Sequence, residues 1–142
     1  MSAAPGPVVV VDTDVVSFIF KQDTRAGQYR RHLLGKAPVV SFMTLAELDQ
    51  WALEHRWGAR RQAQLVRHLA DYAVHPFNRE LCRWWAAVRV NRRRLGRPIG
   101  VADAWVAATA LFLNAPLLTH NPGHYISIPG LTVISGTSSP GG

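Results

Sequence analysis

The chain has 142 residues, of which 48% are hydrophobic and 18% charged, with 11 glycines and 9 prolines. This length suits one globular domain, and the composition excludes a disordered, collagen-like or coiled-coil chain. Sixteen Lys and Arg against nine Asp and Glu give a formal net charge of +7. Such a charge favours a polyanionic partner, nucleic acid or an acidic protein, although a GC-rich genome also produces arginine-rich proteins that have no binding role.

The sequence also excludes several kinds of attachment and cross-link. Cys82 is the only cysteine, so neither an internal disulfide framework nor a multi-cysteine zinc site is expected. The apolar run at residues 8–11 is too short for a secretion signal. The longest apolar stretch, residues 104–113, is too short to span a bilayer. We therefore expect a cytoplasmic protein with no membrane attachment.

In chain order, β-branched and apolar runs alternate with amphipathic segments. The run Val8–Val11 is typical of a strand buried on both faces, and Thr13 or Asp14 would cap the helix after it. The predicted strands are residues 8–11, 39–42, 73–76, 116–119 and 131–134. The predicted helices begin near residue 13 and then cover residues 24–34, 44–57, 60–72, 78–95 and 101–113, the third of them opened by a capping box from Thr44 to Glu47.

This alternation predicts βαβ units and therefore an α/β fold: a single three-layer α/β/α domain with a mainly parallel sheet of about five strands. We assign the domain to residues 8–135. The small, Pro- and Gly-containing segment 1–7 is expected to be a flexible N-terminal arm, and the Gly/Pro/Ser-rich segment 136–142 a flexible C-terminal tail.

Four polar residues map to one edge of this predicted sheet. Asp12 ends the first strand, Glu47 lies in the helix after the second, Asp103 lies in the first turn of an apolar helix, and Asn121 follows the fourth strand. Ligands of open parallel sheets bind beyond the carboxyl ends of the strands. Each of these residues alone could simply cap a helix. Asp103, however, lies among apolar residues, and an acid in such surroundings is costly to bury without a partner.

Carboxylate and amide oxygens are the ligands of hard divalent cations such as Mg²⁺ or Mn²⁺. Three carboxylates and one amide would hold such a cation and leave positions open for a phosphate and a water. The pattern therefore predicts metal-assisted hydrolysis of a phosphodiester.

Four segments together resemble the successive motifs of PIN-domain proteins, and most closely the VapC-like toxins of type II toxin–antitoxin systems. In order, they are VVVVDTDVVSFI, MTLAELDQWA, GVADAWVAATAL and LLTHNPGHYISIPGLTVI. The resemblance runs from about Val8 to Ile134. It implies an α/β/α sandwich and a Mg²⁺- or Mn²⁺-dependent endoribonuclease. It also implies a VapB-like antitoxin that blocks the acidic site, and a homodimer.

By resemblance, the family's first three acids fall on Asp12, Glu47 and Asp103, which we expect to be metal ligands and catalytic. The fourth family position, an Asp in many members, falls on Asn121, which offers an oxygen without a charge. A non-catalytic RNA- or DNA-binding regulator with a weakened metal site is therefore the alternative function.

Other features leave more than one interpretation open. Arg92, Arg93, Arg94 and Arg97 precede the Asp103 turn and would either contact RNA phosphates or form a solvated helix end. The five tryptophans favour core or dimer packing over base stacking. The Asp12-Thr13-Asp14 order also occurs in haloacid-dehalogenase-like phosphatases, but the later acidic pair of that class is missing.

Overall fold

The computed structural model describes residues 6–136 as a three-layer α/β/α domain. Its sheet is parallel throughout and has five strands in the order β3-β2-β1-β4-β5. The strands are β1 (Val8–Val11), β2 (Ala37–Ser41), β3 (Ala73–His75), β4 (Leu117–Leu118) and β5 (Val133–Ile134). The helices are α1 (Thr13–Phe20), α2 (Ala26–Leu33), α3 (Phe42–Glu54), α4 (Ala59–Leu69), α5 (Arg79–Arg94) and α6 (Val101–Leu113). The predicted fold class is confirmed.

The central strand β1 is buried on both faces, as its unbroken valine run predicts. Val9 and Val11 belong to the core beneath α1–α4. Val10, between them, points to the opposite core, beneath α5 and α6. This alternation follows from the two-residue period of a strand, and it shows why a polar position inside β1 would be costly.

The beginning of α3 differs from the prediction. Ser41, which ends β2 within the predicted strand, also caps the helix: its hydroxyl accepts a hydrogen bond from the Met43 amide at 3.1 Å. Thr44 is therefore not the N-cap, and the predicted capping box is wrong. Thr44 is instead fully buried in the first turn, and its hydroxyl contacts that of Thr13.

The cap of α1 and one connection also differ from the sequence analysis. Asp12, rather than Thr13 or Asp14, is the N-cap of α1. A short 3₁₀ helix, Pro122–Tyr125, follows β4, where no element was predicted. This 3₁₀ helix brings Tyr125 under the carboxyl end of β1, where its side chain is buried.

Both ends of the described chain lie against α2 or the turn after it. A Cβ atom on Gly6 would stand 1.7 Å from the Gly35 carbonyl oxygen, so only glycine allows this approach. The Pro7 carbonyl accepts a hydrogen bond from the Ala37 amide at 2.9 Å. At the other end, the Arg31 guanidinium donates to the Gly136 carbonyl at 2.7 Å. The rest of the two predicted flexible segments, residues 1–5 and 137–142, lies outside the described residues.

The position of Arg92 differs from the expectation that all four arginines of the cluster are exposed. Its side chain is buried, and its guanidinium donates to the carbonyls of Arg97 at 2.7 Å and His124 at 2.9 Å. It therefore ties the end of α5 to the next loop and to the 3₁₀ helix. Arg93, Arg94 and Arg97 are exposed.

We predict that Arg92→Ala lowers the free energy of unfolding by about 2–3 kcal/mol, because it removes a buried side chain and the charged donor of two backbone carbonyls. Chemical denaturation of wild type and variant measures this difference. Arg93→Ala removes the same charge from an exposed neighbour and should change stability by less than about 0.5 kcal/mol. Equal effects of the two substitutions would contradict a structural role for Arg92.

Candidate active site

An open pocket of ≈ 410 Å³ lies at the carboxyl edge of the sheet, between α1, α3, α6 and the segment after β4. We call it the acidic pocket. The residues that line it are Asp12, Thr13, Asp14, Ser17, Lys21, Glu47, Leu48, Trp51, Asp103, Asn121 and His124. It thus brings together all four residues that the sequence analysis placed at this edge, and it adds a fourth carboxylate, Asp14.

Asp12 is the most buried of these carboxylates, with 7% of its surface exposed. One carboxylate oxygen accepts a hydrogen bond from the Thr13 amide at 2.8 Å. The other accepts from the hydroxyls of Thr119 at 2.8 Å and Tyr125 at 3.0 Å. Burial, reinforced by the negative charge of Asp14, raises the pKa of Asp12 from 3.8 to about 7. Its three donors do not fully compensate for the lost water.

Asp14 is held by the segment that follows β4. One oxygen accepts from the Val15 amide at 2.7 Å, and the other from the Asn121 side-chain amide at 2.8 Å and the His120 amide at 3.2 Å. Burial raises the pKa of Asp14 as well. From the sequence alone, Asp14 was expected to be a helix cap or the second Asp of a phosphatase motif. Neither reading indicated that it faces the other acids.

Glu47 reaches the pocket from α3. Its carboxylate accepts a hydrogen bond from the Thr13 hydroxyl at 2.7 Å, and that hydroxyl lies 2.9 Å from the hydroxyl of buried Thr44. Burial raises the pKa of Glu47 above its usual value. The Thr44–Thr13–Glu47 chain fixes α3 against the start of α1 and therefore sets the position of this carboxylate.

Asp103 lies in the first turn of α6, with a third of its side chain exposed. One of its oxygens lies 3.3 Å from the Tyr125 hydroxyl and the other 3.2 Å from Nδ1 of His124. Burial, followed by the charges of Asp12 and Asp103, raises the pKa of Tyr125 far above its usual range. The tyrosine therefore remains a hydrogen-bond donor that links Asp12 to Asp103.

The arginines that the sequence suggested as contacts for RNA phosphates do not line this pocket. Arg92 is buried behind it, and Arg93, Arg94 and Arg97 are exposed but are not among its lining residues. The basic side chain that does line it is Lys21, at the end of α1. Lys21 is one of only two lysines in the chain, and no sequence motif pointed to a role for it.

The donor set fits a hard divalent cation in its chemistry. Four carboxylates line one pocket, and three of them have raised pKa values because their charge is poorly solvated. A bound cation would supply the missing compensation. Within residues 6–136, however, no three His, Cys, Asp or Glu side chains already stand in a metal-coordinating arrangement. Water ligands, which Mg²⁺ usually retains, would have to complete the coordination.

Comparison with known proteins agrees with this fold. The PIN domain family matches residues 9–126, and the chain therefore belongs to the PIN-domain family. Within that family it is similar to proteins named Ribonuclease VapC. It is 29% identical to Ribonuclease VapC1 of Haemophilus influenzae over 131 residues, which cover 87% of this chain and 94% of the relative. It is also 29% identical to Ribonuclease VapC5 of Mycobacterium tuberculosis over 123 residues, which cover 85% and 87% of the two chains.

Solved structures give the same result. The structure of VapBC-1 from nontypeable Haemophilus influenzae matches with a TM-score of 0.79 at 27% identity, covering 92% of this chain and 99% of that one. A chain of VapBC2 from Rickettsia felis, bound to a promoter DNA fragment, matches with a TM-score of 0.80 at 20% identity, over 90% and 98% of the two chains. The second likeness shows the fold alone. No helix of residues 6–136 is long and apolar enough to cross a membrane.

The buried charge of Asp12 predicts a pH-dependent stability. Between pH 3.8 and about 7 the folded protein binds more protons at Asp12 than the unfolded chain does, so this group makes stability fall as the pH rises. In the presence of a chelator, the melting temperature of Asp12→Asn should therefore be several degrees above that of wild type at pH 8 and close to it near pH 4. Thermal melts across this range measure the difference. The exposed Asp71, changed to Asn, is the matched control, and a pH-independent difference at Asp12 would contradict the assignment.

Proposed function

We propose that this protein is a metal-dependent endoribonuclease that hydrolyses RNA phosphodiester bonds in the cytoplasm, as the toxin of a VapBC-type toxin–antitoxin pair. The observation that carries the proposal is the convergence of Asp12, Glu47 and Asp103 on one open pocket, in a chain whose relatives are named ribonucleases. These three would bind Mg²⁺ or Mn²⁺, and Asn121 would be an auxiliary residue. When bound, the cation would supply a Lewis acid for the phosphate and lower the pKa of a water nucleophile.

The chain's own residues have separable tasks in this mechanism. Tyr125 and Thr119 hold Asp12 in place through its inner oxygen. Tyr125 also restrains Asp103, and Thr13 restrains Glu47. These neutral donors orient the carboxylates without cancelling their charge, which remains available to a cation.

Asp14 bears on the role of Asn121. The fourth family position lacks a charge here, but the Asn121 amide donates to Asp14, which brings a fourth carboxylate to the pocket. We propose that Asp14 supplies the negative charge that Asn121 lacks. This favours the nuclease over the alternative, a non-catalytic RNA- or DNA-binding regulator.

Purified protein, shown to be folded and free of antitoxin, should cut total cellular RNA into discrete fragments with Mg²⁺ or Mn²⁺ and leave it intact with chelator. Asp12→Asn should lower cleavage by at least about 100-fold, because it removes a ligand charge, whereas Asp71→Asn should not. Gel analysis of RNA measures this. Binding of RNA that is equal with and without chelator, in the absence of any cleavage, would support the regulator instead.

Metal binding can be measured without cleavage. Mg²⁺ or Mn²⁺ should raise the melting temperature of wild type, since a ligand that binds only the folded state stabilises it. The shift should be lost in Asp12→Asn and kept in Asp71→Asn. An identical shift in all three proteins would contradict binding at the acidic pocket.

The partner would be a VapB-like antitoxin, as in the VapBC complexes that this chain resembles. A groove between α3 and α4 carries Leu53 and Val66, which are 72% and 68% exposed, and such apolar exposure suits an amphipathic helix.

We also propose the homodimer implied by the family resemblance, which light scattering of the purified chain tests.

Replacing Leu53 and Val66 together by Ser should weaken binding of the antitoxin encoded by a neighbouring small reading frame by about 10-fold or more, because the pair would bury most of its apolar surface there. Isothermal titration measures the affinity. Val90→Ser, at a 45%-exposed position on α5, should have little effect. An antitoxin that binds the double variant normally would place its docking surface elsewhere.

A further inference from the structure

The acidic pocket has a second end with the opposite chemistry. Asp14, Ser17 and Lys21 follow one another at helical spacing along α1, and Glu47 and Trp51 do so along α3; all five line the pocket. Asp14 and Lys21 are seven positions apart, which corresponds to about 10 Å of helix, and Glu47 and Trp51 are four positions apart, or about 6 Å. The pocket is therefore a groove between α1 and α3, with carboxylates at one end and Lys21 and Trp51 at the other.

The Lys21 ammonium is held by an aromatic ring rather than by an acid. Its Nζ lies 4.5 Å from the centroid of the Trp51 ring, which is within the range of a cation–π contact. Trp51 is fixed in turn by an edge-to-face contact with Trp57, with ring centroids 4.7 Å apart. The position of the positive charge is thus defined by a packed platform and not by a freely moving side chain.

Within the part of the chain that the structure describes, no carboxylate forms an ion pair with this lysine, and its charge contributes only the smallest of the causes that lower the pKa of Asp23. Asp23, the acid nearest in sequence, is bonded instead to Arg25 through both of its oxygens, at 2.9 Å each, and this lowers the pKa of Asp23. None of the ion pairs among residues 6–136 includes Lys21. Its charge therefore remains available to an anionic ligand at the mouth of the pocket.

From this geometry we infer that Lys21, positioned by Trp51, binds an RNA phosphate next to the one that lies at the carboxylates. The inference rests on the proposed function and deepens it. The chemistry favours RNA over an acidic protein segment. A single-stranded polyanion can place one phosphate at a cation held by the acids and another at Lys21. A carboxylate peptide lying along the same groove would meet Asp14 and Glu47 directly.

The test is RNA binding in a background that does not depend on cleavage. In Asp12→Asn protein with chelator, where the Lys21 contact is measured without a cation at the carboxylates, a fluorescent single-stranded RNA of mixed sequence is titrated by anisotropy between about 50 and 200 mM salt. Adding Lys21→Met should weaken binding about 5-fold near 0.1 M salt and lower the salt slope by about 0.7, the value for one phosphate contact on a single strand. Met keeps the apolar stem over Trp51.

The chain offers a matched control, since Lys36 is its only other lysine. Lys36 is exposed and directly precedes β2, at the sheet edge opposite the pocket. Lys36→Met removes the same charge and should change the affinity less than about 2-fold, because it makes no phosphate contact. Trp51→Leu should weaken binding although it removes no charge, and Trp51→Phe should restore part of the affinity by restoring a ring.

Cleavage by the otherwise wild-type enzyme separates the two proposals. Lys21→Met should raise KM about 5-fold and change kcat less than 2-fold, since the contact is equal in ground and transition states. Wild-type cleavage together with unchanged RNA affinity in Lys21→Met would overturn the lysine inference alone. Equal losses in Lys21→Met and Lys36→Met would also overturn it, in favour of net charge. RNA that is neither bound nor cut by the wild type would overturn both proposals.

Discussion

The burial of one carboxylate, Asp12, at the end of the central strand is the constraint on which the other polar features of this fold depend. A strand covered on both faces ends in a region that water barely reaches, so the charge there needs donors from the protein itself. β4 lies beside β1 and is followed by Thr119, and the 3₁₀ helix after it brings Tyr125. Within residues 6–136 the acid thus receives hydroxyl donors and forms no ion pair with a lysine or arginine, which leaves its charge incompletely balanced.

The second consequence is that the acids are linked across the layers of the sandwich. Tyr125 contacts Asp12 at the end of the sheet and Asp103 in the layer of α6. Thr13 links the start of α1 to Glu47 in the layer of α3. Arg92 fixes the segment that carries Tyr125 through the His124 carbonyl. A displacement of either helical layer would therefore move a carboxylate, and so the packing of the domain and the geometry of its pocket are coupled.

The sequence predicts the strands and α-helices of this fold well, because most of them have a strong local signal, whereas the 3₁₀ helix was not predicted. The four consecutive valines of β1 and the apolar segment of α6 are signals of this kind. The start of α3 is harder to predict, because Ser41 and Thr44 are both good caps and only the contact of Thr44 with Thr13 decides between them. The strand order is likewise a property of tertiary packing.

For the candidate site, the sequence predicted which acids lie at the strand ends, but it did not predict which residues of the helices face the pocket. That Asp14 and Lys21 line the pocket depends on how α1 packs against α3, which no local pattern encodes. Arg92 is an instructive exception. In α5 the apolar residues Leu81 and Val88 are buried, and one further turn of helix reaches Arg92, whereas Arg93 and Arg94 are exposed. Helical periodicity could therefore have distinguished the buried arginine from the exposed ones.

The packing of both described ends against α2 has a practical consequence for protein engineering. Gly6 lies on the turn after α2, and the Gly136 carbonyl is bound by Arg31 within it. Since α2 has 8 residues, it spans only about 12 Å, and a short linker would suffice to join the two ends. The molecule is thus suited to circular permutation, with new ends opened at the exposed Gly58 between α3 and α4. In such a permutant the order of synthesis would change, while α1, α3 and α6, which line the acidic pocket, would each stay uncut.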